Sequence, residues 1–421
     1  MSNLRKTLSL PAAVGLAITM VVGSGLLVVP GIAYKEAGNT SIYAWIVCCL
    51  AIIPILVVFG QLGAQFPGAG GIALFVQNAF NRRAGGATEI LILGTVPGGS
   101  ALLLVAGGYG AAATSTGQIG LIVATAITAV VAFAIISGGG KVSGRINQVI
   151  AIVLIIVLGA ICILALKYGK AIANSNTTLL NFGGILRTSS LVFFAFVGWE
   201  LLSFTTEEYK NPTRDFPLSI AVSYIIVVLL YMLISYSIQH MLVPEGEYVS
   251  TAPFVALIRT TGIGFGHIVV AILGYLISLS NVIGILWAFS RLLFSSARQG
   301  LMPLAMSKLS AKAKVPINAV VLALGLFLIP AVLNLVGLLE LDLLFRLAGS
   351  CFLFAYILAS ISFYKIGKGR LSKAVSVLSI LVSLFILCGF GFLVIYPIVL
   401  FSIAYLLVGI RTKKAKRKES T

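Results

Sequence analysis

Charged side chains are scarce in this chain: only 10% of its 421 residues are Asp, Glu, Lys or Arg, whereas 59% are hydrophobic. Soluble globular domains carry roughly 25% charged residues, and the mean hydropathy here is +1.11. The shortage of charge excludes a soluble domain and predicts a polytopic membrane protein.

Groups that perform enzyme chemistry or hold metals are also sparse. The chain has two histidines and five cysteines, none in CxxC spacing, so we expect neither disulfides nor a metal site. It has no Walker motif and no nucleophile–base–acid set, which argues against ATP hydrolysis and against an enzyme. We expect no cofactor.

Acidic residues are few: 11 Asp and Glu stand against 29 Lys and Arg, for a net charge of +18. Basic proteins often bind nucleic acid, but these bases lie in alternate loops between apolar segments. With a cytoplasmic N-terminus, 23 of them face the cytoplasm, six of these in the C-terminal tail, and six face outward. This positive-inside pattern predicts an inner-membrane protein with both termini cytoplasmic and no nucleic-acid partner.

Twelve apolar segments approach the roughly 20 residues that cross a bilayer. The first is too long for a signal peptide and is kept as a span. The predicted spans are 9–33, 41–66, 88–113, 117–137, 146–166, 187–206, 217–240, 266–294, 317–337, 343–363, 372–389 and 391–410. Two shorter segments are predicted to be a cytoplasmic re-entrant piece at 67–80 and a short external helix at 252–260.

Gly23, Ser24 and Gly25 lie well inside the first predicted span. Glycine weakens a helix and exposes backbone N–H and C=O groups. Lipid cannot satisfy these groups, so they must face protein or a water-filled cavity. A helix broken at the membrane midplane is typical of secondary transporters.

Gly198 occupies the middle of the sixth span, and Glu200 follows it near the midplane, where acids are costly and usually functional. The two weakened spans are five spans apart, which inverts the second relative to the first. This spacing predicts a five-plus-five inverted repeat within one domain. Its parts are the first repeat, the second repeat, helices eleven and twelve, and a basic tail: 9–166, 187–363, 372–410 and 411–421.

Backbone groups at the two interruptions have opposite polarity. Free amides of Ser24, Gly25 and Leu26, at the positive end of a half-helix, suit a carboxylate. Free carbonyls over 194–197, at a negative end, suit an ammonium. An α-amino acid carries both groups. The alternative is that the glycines are only close helix-packing points.

Four motifs resemble the amino acid–polyamine–organocation (APC) superfamily of permeases, and the resemblance covers nearly the whole chain. Bacterial exporters of L-methionine and branched-chain amino acids are the most similar group. The resemblance implies a LeuT-type fold of 12 transmembrane helices, with helices 1 and 6 unwound at the midplane. The motifs are Gly23-Ser24-Gly25, LGAQFPGAGG at 62–71, FAFVGWE at 194–200 and EEYKNPTRDFP at 207–217.

The resemblance also implies a substrate site. The ammonium is expected on the carbonyls of Val21, Phe194, Ala195 and Val197. The carboxylate is expected on the amides of Ser24 and Gly25 and the Ser24 hydroxyl. The other residues expected at the site are Gly23, Leu26, Phe196, Gly198, Asn281 and Ile285.

Four residues are candidates for coupling or gating. Glu200 is a candidate proton carrier or gate, with a paired structural acid as the alternative. Trp199 is a candidate for occluding the substrate. Glu207 and Arg214 belong to a cytoplasmic charge cluster expected to hold the inner gate, or else to a solvated loop. Proton-coupled relatives often carry a lysine where this chain has Leu154, and many have an acid where it has Gln61.

The sequence thus predicts alternating-access transport of neutral apolar L-amino acids, namely methionine, leucine, isoleucine and valine. Export driven by protons or by exchange is favoured, and the last two helices are candidates for a homodimer contact. The alternatives are an importer or exchanger of the same fold and a non-transporting sensor or subunit.

Overall fold

The computed structural model describes residues 9–23, 25–66, 71–138, 144–169, 181–202, 209, 211–298, 300–310 and 315–419. Within these ranges the chain is all-helical. The α-helices are α1 Leu10–Val21, α2 Val29–Ala37, α3 Ser41–Gln65, α4 Gly71–Ala79, α5 Arg82–Leu93, α6 Val96–Thr114, α7 Gly117–Ser137, α8 Gly144–Tyr168, α9 Phe182–Val192, α10 Trp199–Leu202, α11 Pro212–Met241, α12 Pro253–Arg259, α13 Gly266–Arg298, α14 Ile317–Leu335, α15 Leu341–Ile366, α16 Arg370–Cys388 and α17 Ile395–Glu419.

Nine helical stretches of the described residues are long and apolar enough to cross a bilayer. Three predicted spans are not among these nine stretches as predicted. The spans 9–33 and 187–206 are interrupted after α1 and α9, and the described apolar part of α8, in the span 146–166, is shorter than a full crossing. An all-helical membrane protein is therefore confirmed, and the number of crossings stays a prediction.

Several boundaries differ from the sequence prediction. The third predicted span, 88–113, is α5 and α6, which are separated at Gly94 and Thr95. Helix α17 continues to Glu419, into the residues of the predicted basic tail at 411–421, and the tail stays a prediction. The predicted re-entrant piece contains α4, although residues 67–70 lie outside the described ranges. The expected short helix near 252–260 is α12.

Helix α6 lies at the centre of the bundle and packs against α7, α13, α14 and α15. Its sequence is rich in glycine and alanine, and most of its residues are buried. Small residues let neighbouring helices approach closely. At Gly99, for example, a Cβ would collide with the ring of Phe327 on α14. In contrast, α16 and α17 expose many apolar side chains, as expected for helices that face lipid.

Helix interruptions free backbone carbonyls, and tyrosine hydroxyls satisfy them. Pro97 has no N–H, and the Gly98 N–H donates to Thr95, so the Gly94 carbonyl has no helical donor. The Tyr396 hydroxyl donates to that carbonyl at 2.7 Å. The Tyr224 hydroxyl also donates to a main-chain carbonyl, that of Cys49 on α3, at 2.8 Å.

Replacing Tyr396 with Phe should destabilise the protein by about 1–3 kcal/mol, because the buried Gly94 carbonyl would lose its donor. The measurement is the thermal unfolding midpoint of the detergent-purified protein. Tyr405→Phe is the matched control, since the Tyr405 hydroxyl makes no hydrogen bond to a described residue. An equal effect of both changes would show that the Gly94 carbonyl does not depend on Tyr396.

Candidate functional site

The first helix interruption, which we call the first break, covers residues 22–28; Ser24 lies outside the described residues. Helix α1 ends at Val21, whose carbonyl accepts the Gly23 N–H at 2.8 Å. The Gly25 carbonyl then accepts the N–H groups of Val28 and Val29 at 3.2 and 2.8 Å. The next half-helix was expected directly after Gly25, but these turns delay it, and α2 begins at Val29.

The second break covers residues 193–198. Residues 193–196 form a 3-10 helix, Val197 is extended, and Gly198 has φ = +124°. Only glycine adopts such a backbone conformation without strain. Helix α10 resumes at Trp199. The interruption predicted at Gly198 is therefore observed.

The two breaks are in direct contact. A Cβ on Gly198 would overlap the carbonyl of Met20 at the end of α1. A Cβ on Gly25 would lie 3.1 Å from the ring of Phe194. Glycine is required at Gly198 both by its φ angle and by this close approach. The backbone groups of both interruptions thus face one another inside the bundle.

Tyrosine hydroxyls from neighbouring helices hold the breaks. The Tyr231 hydroxyl, on α11, donates to the Ala195 carbonyl at 2.6 Å and lies 3.3 Å from the Val21 carbonyl oxygen. The Tyr109 hydroxyl, on α6, donates to the Leu27 carbonyl at 2.8 Å. Both tyrosines are fully buried. The sequence analysis did not identify either, because nothing in the local pattern pairs them with a distant break.

Backbone donors at the first break are partly used. The Leu26 N–H, which was expected to face the substrate, donates to the Gly23 carbonyl at 3.1 Å. A Cβ on Gly23 would meet no atom within 4 Å, so open space adjoins this residue. Among the amides expected to bind the carboxylate, Gly25 is described, and Ser24 lies outside the described residues.

Glu200 is 3% exposed, and its carboxylate accepts hydrogen bonds from the second break and from α15. The Gly198 N–H donates to its Oε2 at 3.0 Å, and the Tyr356 hydroxyl of α15 donates to the same oxygen. Glu200 therefore stabilises the second break and ties it to α15. These contacts are those expected of a paired structural acid, and they also place a protonatable group beside the break.

A cluster of charged side chains joins α2, α9 and α15 away from the breaks; we call it the Glu36 network. Glu36, on α2, forms ion pairs with Arg187 of α9 at 3.1 Å and with Arg346 of α15 at 2.5 Å. Arg346 also lies 3.5 Å from Asp342 and donates to Ser190. Because the Arg346 side chain is only 5% exposed, its pair with Glu36 is weakly screened by solvent, whereas the Arg187 side chain is 71% exposed. The sequence analysis had counted the bases singly and did not pair them.

Aromatic side chains close the space around the second break. The ring of Phe196 lies 5.1 Å from that of Tyr231 and 6.1 Å from that of Trp45. Trp199 is fully buried, and its Nε1 has no hydrogen-bond partner among the described residues. The position of Trp199 is compatible with occlusion of a small ligand.

Asn281 and Ile285 lie one turn apart on α13, and both are half-buried. Tyr109 connects α13 to the first break: its ring contacts Gly274 of α13, and its hydroxyl donates to the Leu27 carbonyl. The prediction that Asn281 and Ile285 line the substrate site stays a prediction.

The cytoplasmic charge cluster is described only in part. Arg214 is exposed at the start of α11. Glu207 lies outside the described residues, so the inner gate expected from this pair stays a prediction.

Buried backbone donors and acceptors at one point can bind a small zwitterion without any acid–base or nucleophilic chemistry. Comparison with known proteins identifies the family of the chain. Residues 8–411 match the sequence model of the amino acid permease family. The L-methionine/branched-chain amino acid exporter YjeH of Escherichia coli K12 is 29% identical, with 97% of each chain covered.

Two proteins of Bacillus subtilis 168 are similar as well. The uncharacterized amino acid permease YecA is 26% identical, over 99% of this chain and 98% of its own length. The branched-chain amino acid permease BcaP is 26% identical, over 72% of this chain and 69% of its own. The family match covers nearly the whole sequence, and the paired breaks fit its function. The chain belongs to the amino acid permease family of the APC superfamily and is a multi-pass membrane transporter, not an enzyme.

Proposed function

We propose that this protein is a secondary active transporter that exports neutral apolar L-amino acids: methionine, leucine, isoleucine and valine. The observation that carries the proposal is the contact between the two breaks, at Gly198 against α1 and Gly25 against Phe194. This contact brings backbone acceptors and donors to one buried place. Similarity to an exporter of these amino acids supports the choice of substrate.

The proposed architecture has twelve spans, of which the first ten form an inverted repeat with cytoplasmic termini. The positions of the breaks, within α1–α2 and α9–α10, support it. So does the distribution of basic residues between alternate loops. The two repeats of this proposed architecture are residues 9–166 and 187–363. The last two helices pack at the edge of the bundle, where they are proposed to contact lipid or a second copy of the chain.

A neutral substrate is favoured by the groups around the breaks. Glu200, the acid at the second break, is already engaged by Gly198 and Tyr356. The rings of Trp45, Phe196 and Trp199 are apolar surfaces beside it. The charged group of arginine or of a polyamine would need an unpaired acid in the site, whereas an aliphatic or thioether side chain would not.

Alternating access needs a barrier on each side of the site. We propose that the Glu36 network is the barrier on the outer side, because it joins α2, α9 and α15 beyond the breaks. The charge cluster that includes Glu207 and Arg214 is proposed for the cytoplasmic side. An importer or exchanger would use the same barriers, and an amino-acid sensor or subunit would use the same site without net transport.

The test uses the purified chain in proteoliposomes loaded with labelled methionine or labelled arginine, with and without a pH gradient. We expect methionine efflux that leucine competes with and that the pH gradient accelerates. Rapid arginine flux would show that the proposed pocket chemistry is wrong. Amino-acid binding without flux of either substrate would favour a sensor or a subunit.

Replacing Gly25 with Val should abolish transport while leaving membrane insertion intact. The new side chain would press on the Phe194 ring and crowd the backbone of the first break. Flux and the amount of inserted protein are measured together. Gly325→Val on α14 is the matched control, because a Cβ there meets no atom within 4 Å. Normal transport by the Gly25 variant would place the carboxylate site elsewhere.

Replacing Glu200 with Gln should abolish the effect of the pH gradient while leaving exchange of internal for external methionine measurable. The amide keeps the size and an acceptor oxygen of the carboxylate but cannot titrate. Net efflux and exchange are compared over a series of imposed pH gradients. Loss of both activities in equal proportion would assign Glu200 a structural role instead.

A further inference from the structure

The Tyr231 hydroxyl contacts the second break and the last residue of α1, where the first break begins. It donates to the Ala195 carbonyl at 2.6 Å and lies 3.3 Å from the Val21 carbonyl oxygen. The side chain comes from α11, a helix that belongs to neither break. It is fully buried and wedged between the rings of Trp45 and Phe196, at centroid distances of 5.4 and 5.1 Å.

At this point the acceptor lone pairs outnumber the hydrogen-bond donors. A tyrosine hydroxyl has one proton and therefore makes one good donation, which goes to Ala195. Among the described residues, the Val21 carbonyl accepts the Gly23 N–H at 2.8 Å, and its second lone pair has a long contact of 3.3 Å to the Tyr231 hydroxyl. The Tyr231 oxygen keeps its own lone pairs. Spare acceptor capacity thus converges on one buried place.

A primary ammonium group fits this place by its donor count. It has three N–H donors and no acceptor. Both carbonyl oxygens lie within 3.3 Å of the same hydroxyl oxygen, so one ammonium can reach them together. A hydroxyl group in the same position would offer a single proton and no charge, and it would leave acceptors unpaired.

We propose that Tyr231 is a positioning residue that sets the requirement for a charged amine in the substrate. It fixes the carbonyls of Val21 and Ala195 relative to each other, across two breaks that no continuous helix connects. This inference rests on the proposed amino-acid site. It adds a residue on α11 and states what that residue selects.

The test replaces Tyr231 with Phe and compares leucine with its 2-hydroxy analogue, 2-hydroxy-4-methylpentanoate. The analogue keeps the carboxylate and the side chain and lacks the ammonium. Labelled-leucine flux gives KM and the maximal rate, and inhibition of that flux gives the affinity for the analogue. We expect KM for leucine to rise about tenfold, the equivalent of one hydrogen bond to a charged group. The inhibition constant of the analogue and the maximal rate should change little.

Tyr224→Phe is the matched control. Tyr224 lies two turns earlier on the same helix, and its hydroxyl donates to a carbonyl of α3 outside both breaks. The control should leave the preference for leucine over the analogue unchanged. Thermal unfolding of both variants separates a loss of fold from a loss of selectivity.

Three outcomes would contradict the inference or its basis. If Tyr231→Phe lowered the affinities for leucine and for the analogue equally, the hydroxyl would have a structural role only. An unchanged KM for leucine would also overturn the inference while leaving the amino-acid site in place. If the unmodified protein neither binds nor transports leucine, the proposed function fails, and this inference fails with it.

Discussion

The structure depends on one constraint: backbone carbonyls freed inside a bilayer must find donors within the protein, because lipid offers none. This chain meets it repeatedly with tyrosine. Hydroxyls of Tyr109, Tyr231 and Tyr396 satisfy carbonyls at three separate interruptions. An unsatisfied buried carbonyl costs roughly 1–3 kcal/mol, so each interruption is tolerable only where such a side chain arrives. The broken helices are therefore stabilised by side chains from neighbouring helices.

Close approach of backbones is the second requirement, and glycine provides it. Gly198 has a positive φ and lies against Met20, so it leaves no room for a side chain between the breaks. Residues beside it are large and aromatic, which seals the contact from the rest of the bundle. Backbone atoms then line the meeting point. In the proposed site, such atoms would bind the ammonium and carboxylate common to all amino acids, and the surrounding side chains would discriminate among them.

The sequence predicted the membrane class, the family and the two interruptions, because glycine at membrane depth and long apolar runs are local signals. It placed the second half-helix of the first span too early, since the turns between Gly25 and Val28 follow from hydrogen bonds rather than from residue type. It could not find Tyr231, which is an ordinary aromatic residue within an apolar helix until the fold brings it to Val21 and Ala195. Pairings between distant segments, such as Glu36 with Arg346, were likewise beyond a reading of local pattern.

The Glu36 network has a consequence for cooperativity. One carboxylate binds two guanidinium groups from α9 and α15, and the Arg346 side chain is almost fully enclosed. Breaking the Glu36–Arg346 contact alone would leave a charge without its partner in a poorly hydrated place, which is strongly unfavourable. Breaking it while water enters is less costly, because hydration replaces the lost contact. The pair with Arg187 adds little to this barrier, since the Arg187 side chain is 71% exposed. Helices α2 and α15 should therefore separate only as water enters, and arrangements with the contact broken but still dry should be sparsely populated.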